Sequence, residues 1–323
     1  MPMALPNGAF STQLPTLQLV IDSTSLGTFK ECPKKYYYSI IEGWVPKRES
    51  PHLTFGLLFH EGCERYEHQK ARGYDHEQAL RAALKHVLTK SFNPYTGKPW
   101  DSGHSEKNRD TLLRTLVWYL DDFGRNDKLQ TFMLKNGKPA VELTFNYNPK
   151  DFENGEILRS SVTGEEIAFS GHIDRMVWEQ GQKFVLDHKT TGNQLGQKYF
   201  SQYTPHNQIS MYSLAAMYEF EVDVAGVIID AAQVKVTLSR FERQTIYRSL
   251  PQLREWLNDA KYWIALMGYM AEQKRWPQND TACNSYGGCP YREVCKRPPG
   301  ARQQWLELEY IKRIWDPSVA RGE

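Results

Sequence analysis

Hydrophobic residues recur at helical spacing through most of the first third of the chain. The segment from Thr54 to about Lys70, which contains His60, is typical of a helix that ends near Gly73. Asp75 is suited to cap a second helix, whose apolar residues recur at helical spacing. The same pattern predicts a third helix from about Lys107 to Gly124.

The hydrophobic period changes in the middle of the chain. Short segments rich in β-branched and aromatic residues, separated by Gly, Asn and Asp turns, predict strands. These segments are Ala140–Tyr147, Ile167–Trp178, Lys183–Asp187, Val222–Ile229 and Ala232–Leu238. Two further helices are predicted, at about 205–220 and 250–273. Helix, strands, helix and strands in this order predict an α/β or α+β fold around one central sheet.

The N-terminal region is less regular. As far as Ile21 the sequence has no clear period, and we expect a loosely packed arm. Ser23 or Ser25 is expected to cap a short helix that runs toward Cys32. Residues 33–38 then mix lysine with tyrosine. Such a stretch suits either a surface that follows a nucleic-acid backbone or a half-buried helix face whose lysines extend to solvent.

Composition narrows the class of protein without revealing its partner. The chain of 323 residues has 40 basic and 38 acidic residues, and this near neutrality neither demands nor excludes a polyanion. There is no secretory signal pattern, and no segment approaches the roughly 18 apolar residues that span a bilayer, so we expect a cytoplasmic protein. The five cysteines are an odd number, which favours metal ligation or burial over a disulfide framework.

The candidate chemistry lies on two predicted neighbouring strands. Asp174 is carried by the first strand, and Asp187 and Lys189 by the second. Residues two apart on a strand point to the same face, so Asp187 and Lys189 are expected to share one site. Two carboxylates about 4 Å apart repel by about 4 kcal/mol at an effective dielectric of 20, which a divalent cation would offset. Oxygen ligands of this kind select Mg²⁺ or Mn²⁺.

These residues form motifs that resemble a known family. The chain reads Gly-x-x-x-His at Gly56–His60, Gly-x-Ile-Asp-Arg around Asp174, Leu-Asp-His-Lys-Thr-Thr around Lys189, and Gln-x-x-x-Tyr at Gln208–Tyr212. Their order resembles, without permutation, the core of RecB-like nucleases of the PD-(D/E)XK superfamily, including AddB-type and CRISPR-associated exonucleases. One departure is His188 within Asp-x-Lys, where many relatives have Tyr.

The resemblance implies roles for these residues. The implied metal ligands are His60, Asp174, Asp187 and the backbone carbonyl of His188. Lys189 would position or help deprotonate the attacking water and stabilise charge on the phosphate. Gln208 and Tyr212 would line the site and contact DNA or the catalytic lysine, and Glu142 is a more distant candidate carboxylate. Taken singly, each feature has an ordinary explanation, such as an exposed charge pair, a hydrogen-bonded core histidine or neighbours on a helix.

A second cluster of candidate ligands lies near the C-terminus. Cys283, Cys289 and Cys295 follow one another with five residues between successive cysteines, which makes a compact ligand loop. Cys32 resembles the isolated N-terminal cysteine that iron–sulfur members of this nuclease branch fold against such a triplet. The resemblance favours a [4Fe-4S] cluster, although four thiolates would suit zinc equally well. Cys63 is expected to be a small buried hydrophobic residue.

The resemblance implies a restriction-endonuclease-like fold, with a central mixed sheet flanked by helices. Four segments are expected: an arm at 1–22, a helical region at 23–135 with Cys32 and His60, a nuclease core at 136–275, and a cysteine-rich extension at 276–323. DNA would run in a groove along the helices of His60 and Gln208, lined by basic residues. Those basic residues are Lys34, Lys35, Lys296 and Arg297.

The expected function is an exonuclease on single-stranded DNA or DNA ends, in recombination, repair, phage DNA metabolism or CRISPR adaptation. The sequence contains no helicase phosphate loop, so any unwinding would come from a partner such as a helicase, a recombinase or a CRISPR-adaptation protein. Two alternatives stay open. One is a non-catalytic DNA-binding or scaffold subunit with the same fold, and the other is a restriction-type endonuclease that uses the same acids.

Overall fold

Local capping chemistry sets many of the helix boundaries in the computed structural model, which describes residues 8–48, 50–93, 96–125 and 127–319, except the side chains of 285–287. Asp75, Asn108 and Ser249 each begin a helix with a capping box, in which side chain and backbone exchange hydrogen bonds. The helices are α1 Ser23–Glu31, α2 Pro33–Tyr36, α3 Pro51–Ala71, α4 His76–Lys90, α5 Arg109–Tyr119, α6 Gln197–Phe200, α7 Asn207–Tyr218, α8 Leu250–Glu272, α9 Arg292–Cys295 and α10 Pro299–Glu309.

Short helical turns of other types extend these elements. π-Helical turns follow α2 and α5 at Tyr37–Ile41 and Leu120–Gly124, and 3₁₀ turns occur at Ser201–Tyr203 and Asp280–Gly287. The strands are β1 Val20–Ile21, β2 Trp44–Pro46, β3 Gln130–Thr131, β4 Val141–Tyr147, β5 Ala168–Glu179, β6 Gln182–Thr191, β7 Gly226–Val234, β8 Ser239–Ile246 and β9 Tyr310–Lys312. Within the described ranges, no helix combines the length and hydropathy needed to cross a bilayer.

The chain divides into two compact units. The first unit contains the residues up to Arg48, Thr144–Gly171 and those from Ser249 onward, and the second contains Glu49–Leu143 and His172–Arg248. Strands β4 and β5 contribute residues to both units. The four consecutive segments expected from the sequence stay a prediction.

The second unit is built on a mixed sheet. β5 pairs with β6 antiparallel, β6 with β7 parallel, and β7 with β8 antiparallel, while β3 pairs antiparallel with the end of β5. All nine residues of β7 are buried, as expected for an interior strand that is covered on both faces. Helices α3, α4 and α5 pack their apolar residues together and against the end of β7 at Ala232 and Val234. The expected fold class, a central mixed sheet flanked by helices, is therefore confirmed.

The first unit has its own core. β1 pairs in parallel with the start of β5, and β2 pairs antiparallel with β9. The second pairing adjoins an aromatic cluster that contains Tyr38, Trp44, Tyr291 and Tyr310. The N-terminal and C-terminal parts of the chain thus share one core within this unit.

Three expectations from the sequence were wrong. The expected arm begins in residues 1–7, which lie outside the described residues, but its described part from Gly8 to Ile21 is not loosely packed. Leu17, Leu19, Val20 and Ile21 are buried, and β1 belongs to a sheet. The cap of α1 is Asp22, whose carboxylate accepts the backbone N–H of Ser25, and not Ser23 or Ser25.

The last two strands were placed too early in the sequence. β7 continues to Val234, and β8 begins only at Ser239, beyond the predicted strand at 232–238. All of β7 is buried, so it has no alternation of apolar and polar residues that could mark its end, and the edge strand β8 is mostly polar.

Candidate active site

Asp174 and Asp187 lie on adjoining antiparallel strands of the second unit. Arg175 lies opposite Leu186 in the antiparallel register of β5 and β6. Asp174 and Asp187 are the next two opposed positions in that register. The two residues are 7% and 1% exposed. Asp174 Oδ2 accepts a hydrogen bond of 2.8 Å from the backbone N–H of His188. The sheet itself therefore places the two acids side by side.

Helix α3 brings His60 to Asp174. The buried face of α3, with Phe55, Phe59 and Cys63, is anchored in the helical core, and His60 Nδ1 lies 3.2 Å from Asp174 Oδ2. Burial acts against the charged forms of both groups, but their mutual attraction prevails. As a result, the pKa of His60 is raised and the pKa of Asp174 is held well below its usual range.

Lys189 is held between a carboxylate and an amide. Its Nζ lies 2.5 Å from Asp187 Oδ2 and donates a hydrogen bond of 2.9 Å to Gln208 Oε1. Gln208 Nε2 in turn donates to the hydroxyl of Tyr212 at 2.9 Å, one turn further along α7. Burial raises the pKa of Asp187 despite the nearby Lys189. The structure thus brings the predicted residues Asp187, Lys189, Gln208 and Tyr212 into one connected group.

His188 points away from the lysine, as alternation along β6 requires. Its ring is buried, and burial lowers the pKa of His188 to about 3, so the imidazole is neutral. The hydroxyl of Tyr119 lies 3.3 Å from His188 Nδ1. The side chain therefore has a partner of its own on α5, a role that sequence reasoning did not assign to it.

A buried network of charged groups also escaped the sequence analysis. Arg243 donates to Asp230 at 2.7 Å and to both oxygens of Asp127 at 2.7 and 3.1 Å. Arg175, directly after Asp174, pairs with Glu67 at 3.0 Å. No sequence pattern marks this group, because the partners come from distant segments and their residue types are common on surfaces.

Further carboxylates line a small cavity beside His60 and Asp174. The cavity has a volume of about 10 Å³, enough for one water molecule, and Glu64, Glu67 and Glu142 are among its lining residues. Glu142 has a φ of 47°, a left-handed conformation that is uncommon outside glycine. Glu64 follows His60 by one helical turn, a spacing that is visible in the sequence.

The chemistry of the predicted ligands fits a hard divalent cation. Two buried carboxylates, an imidazole and a backbone carbonyl are the donors that Mg²⁺ and Mn²⁺ accept. In the described part of the chain, no three His, Cys, Asp or Glu side chains stand close enough to hold a metal ion as they are. His60 and Lys189 instead pair with the carboxylates of Asp174 and Asp187, respectively. The ligand assignment stays a prediction.

The four candidate cluster cysteines all belong to the first unit. Cys32 is buried, and Cys283, Cys289 and Cys295 are half-buried. Burial raises the pKa of the Cys289 and Cys295 thiols, and interactions with Cys32 and Cys283 raise them further. Their backbone is folded together, since the N–H of Cys289 donates to the carbonyl of Cys283 at 3.0 Å. Cys63 belongs to the second unit, where it is buried among apolar side chains.

The basic residues expected to line a DNA groove all have partners in the first unit. Lys35 pairs with Glu31 at 2.7 Å, and Lys296 pairs with Glu293 at 2.5 Å. Lys34 and Arg297 lie over aromatic rings, at 5.2 Å from the ring centre of Tyr37 and 3.4 Å from that of Trp305. Their role in DNA binding stays a prediction.

A mixed sheet flanked by helices, with two acids and a lysine on adjoining strands, defines a nuclease with a restriction-endonuclease-like fold. The chain belongs to the PD-(D/E)XK nuclease superfamily, whose family model matches residues 23–296. No curated protein sequence matches the chain.

The solved structures that are similar to this one include the following two. The first, described as "Putative exonuclease" from Eubacterium rectale, is 11% identical and has a TM-score of 0.51, with 92% of this chain and 96% of that chain covered. This likeness shows a shared fold. The second, of a protein named SSO0001, is also 11% identical and covers 86% of each chain, but its TM-score of 0.37 is too low to carry an argument.

Proposed function

We propose that this nuclease is a divalent-metal-dependent deoxyribonuclease that degrades single-stranded DNA or DNA from its ends. The observation that supports the proposal best is the position of Lys189, held at 2.5 Å from Asp187 and 2.9 Å from Gln208 beside the His60–Asp174 pair. These two partners hold the amine of Lys189 next to the two acids, as the proposed chemistry requires.

His60, Asp174, Asp187 and the carbonyl of His188 would hold the cation, which when bound supplies Lewis acidity and lowers the pKa of water. The amine of Lys189 orients the attacking water and donates to a phosphate oxygen as negative charge develops on it. The carboxamide of Gln208 fixes the direction of that amine, and the hydroxyl of Tyr212 fixes the carboxamide. The three side chains therefore form a prearranged donor group.

The RecB-like motifs support an exonuclease more than a restriction-type endonuclease. We infer that the protein belongs to the RecB-like, AddB-like or CRISPR-associated branch and acts in recombination, repair, phage DNA metabolism or CRISPR adaptation. A helicase, a recombinase or a CRISPR-adaptation protein would supply the DNA substrate. Binding through phosphate contacts would make the affinity fall as the salt concentration rises.

Digestion of circular and linear DNA, single- and double-stranded and labelled at either end, tests the proposal. Purification and assay are anaerobic, with Mn²⁺ as the cation. Progressive shortening of linear DNA from a labelled end is expected, whereas a defined fragment pattern from plasmid DNA would identify an endonuclease. Lys189→Ala should lower cleavage by about 10²-fold or more and leave DNA binding intact.

Lys183→Ala is a matched control for the lysine variant. Lys183 lies on the same strand β6, but its Nζ lies over the ring of Trp178, 5.0 Å from the ring centre, and it contacts no candidate site residue. Equal activity of the two variants, or DNA binding without cleavage by the unaltered protein, would refute the proposed catalytic role. The second result would indicate a DNA-binding or scaffold subunit.

We further propose that Cys32, Cys283, Cys289 and Cys295 hold a [4Fe-4S] cluster. The backbone N–H of Asn279, four residues before Cys283, donates to the sulfur of Cys32 at 3.4 Å, which supports the proposal. Lys34 contributes a neighbouring positive charge, which suits thiolate ligands. Anaerobically purified protein should contain iron and sulfide and absorb visible light, and Cys289→Ser should lose both. A colourless protein with stoichiometric zinc would contradict the cluster and leave the nuclease proposal standing.

A further inference from the structure

His188 and Asp230 lie side by side in the sheet, on the face opposite to Lys189. They are register partners of the parallel strands β6 and β7. Tyr119, at the end of α5, reaches both of them, because its hydroxyl lies 2.7 Å from Asp230 Oδ2 and 3.3 Å from His188 Nδ1. All three side chains are at most 4% exposed. One helix therefore connects two adjacent strands through a single hydroxyl group.

The hydrogen bonds at this hydroxyl determine the state of the histidine ring. A phenol has one hydrogen, and the short distance assigns that hydrogen to Asp230, which Arg243 also binds at 2.7 Å. The phenol oxygen is then an acceptor, so His188 carries its proton on Nδ1. A neutral histidine in water favours the proton on Nε2. The network therefore selects the tautomer that is less common in solution.

We propose that Tyr119 is a positioning residue that, held by Asp230, fixes the ring of His188 and the active-site strand around it. The backbone N–H of His188 donates to Asp174 at 2.8 Å, and its carbonyl is one of the proposed metal ligands. The neighbours of His188 along β6 are Asp187 and Lys189. The pairing of β6 with β7 holds this backbone in place, and the fixed ring restrains it further, so a ring free to turn would loosen the position of these groups. The functional part of this inference rests on the proposed nuclease activity, whereas its structural part does not.

Imidazole NMR on protein labelled with ¹⁵N-histidine tests the structural part without any metal or DNA. His188→Gln identifies the resonances of this ring among the nine histidines. His188 should be an Nδ1–H tautomer in the unaltered protein and should shift toward Nε2–H in Tyr119→Phe. Tyr66→Phe is the matched control, because Tyr66 forms a similar buried hydrogen bond of 2.9 Å with His76 Nδ1. The control should change His76 and leave His188 as it is.

Titration with Mn²⁺, followed by electron paramagnetic resonance, tests the consequence for metal binding. Loss of a partner that orients a ligand weakens metal binding by about tenfold or more. We expect such a change in Tyr119→Phe and no change in Tyr66→Phe. An unaltered His188 tautomer in Tyr119→Phe, or equal Mn²⁺ affinity in both variants, would overturn the proposal. Absence of DNA cleavage by the unaltered protein would refute the nuclease assignment alone, since neither measurement uses activity.

Discussion

Lys107 is a buried cation whose removal should stabilise the protein. The residue is 1% exposed, its Nζ has no hydrogen-bond partner among the described residues, and the amine lies 4.1 Å from the ring centre of Phe55. Burial lowers the pKa of Lys107 from 10.5 to about 8. That difference corresponds to about 3 kcal/mol of folding free energy, of which the attraction to the ring recovers up to about 2 kcal/mol.

Lys107→Met should therefore raise the free energy of unfolding by about 1–3 kcal/mol near pH 7. This stabilisation by Lys107→Met should disappear at high pH. As the pH rises through about 8 toward 10.5, the folded protein loses this proton before the unfolded chain does, so the unfolded chain binds more protons. The unaltered protein consequently gains stability relative to the variant over this interval.

Urea denaturation from about pH 7 to about pH 10 measures both effects. Lys85→Met, at an exposed position of α4, is the control, and its difference from the unaltered protein should be small and independent of pH. The free energy of unfolding of one variant is subtracted from that of the other at each pH. The difference no longer contains the contribution of tyrosines and cysteines that titrate in the same range. A variant Lys107→Met that is less stable at neutral pH, or a difference that does not change with pH, would refute the reasoning.

Three further predictions concern the second unit. Gln208→Ala should lower kcat by about tenfold with little change in KM, because the amine of Lys189 loses the partner that orients it. Steady-state kinetics on labelled DNA measure both constants, and a change in KM alone would contradict this prediction. Gly62→Ala should lower the free energy of unfolding by about 1–3 kcal/mol, since its Cβ would lie 2.6 Å from Leu116 Cδ2, and unchanged thermal unfolding would refute the clash. Arg243→Met should lower the free energy of unfolding by about 3–5 kcal/mol, because the buried carboxylates of Asp127 and Asp230 lose their counter-charge. A urea midpoint equal to that of the unaltered protein would show that these carboxylates do not need Arg243.

Sequence patterns located the helices better than the strands. The cap at Asp75 and the apolar spacing of α8 depend only on near neighbours in the chain, so they can be recognised locally. The boundary between β7 and β8 could not be recognised from the sequence. A strand buried on both faces has no alternation of apolar and polar residues, and its polar neighbour β8 lacks the usual strand composition. Burial of the segment before Asp22 was also missed, since it depends on a pairing with β5, far along the chain.

The candidate site shows the same division. Alternation along one strand was enough to place Asp187 and Lys189 together, and one helical turn was enough for Gln208 and Tyr212. The contact between Tyr119 and Asp230 joins residues 111 positions apart, so the local spacing of residues does not predict it.

The discontinuous course of the chain through its two units has a consequence for synthesis on the ribosome. The second unit cannot be completed until Arg248 has emerged, and the first must wait for the C-terminal segment. Cys32 is translated about 250 residues before Cys283, so its thiol emerges well before the triplet. We therefore expect nascent chains to stay susceptible to proteases and to depend on chaperones until the segments that complete both units have emerged.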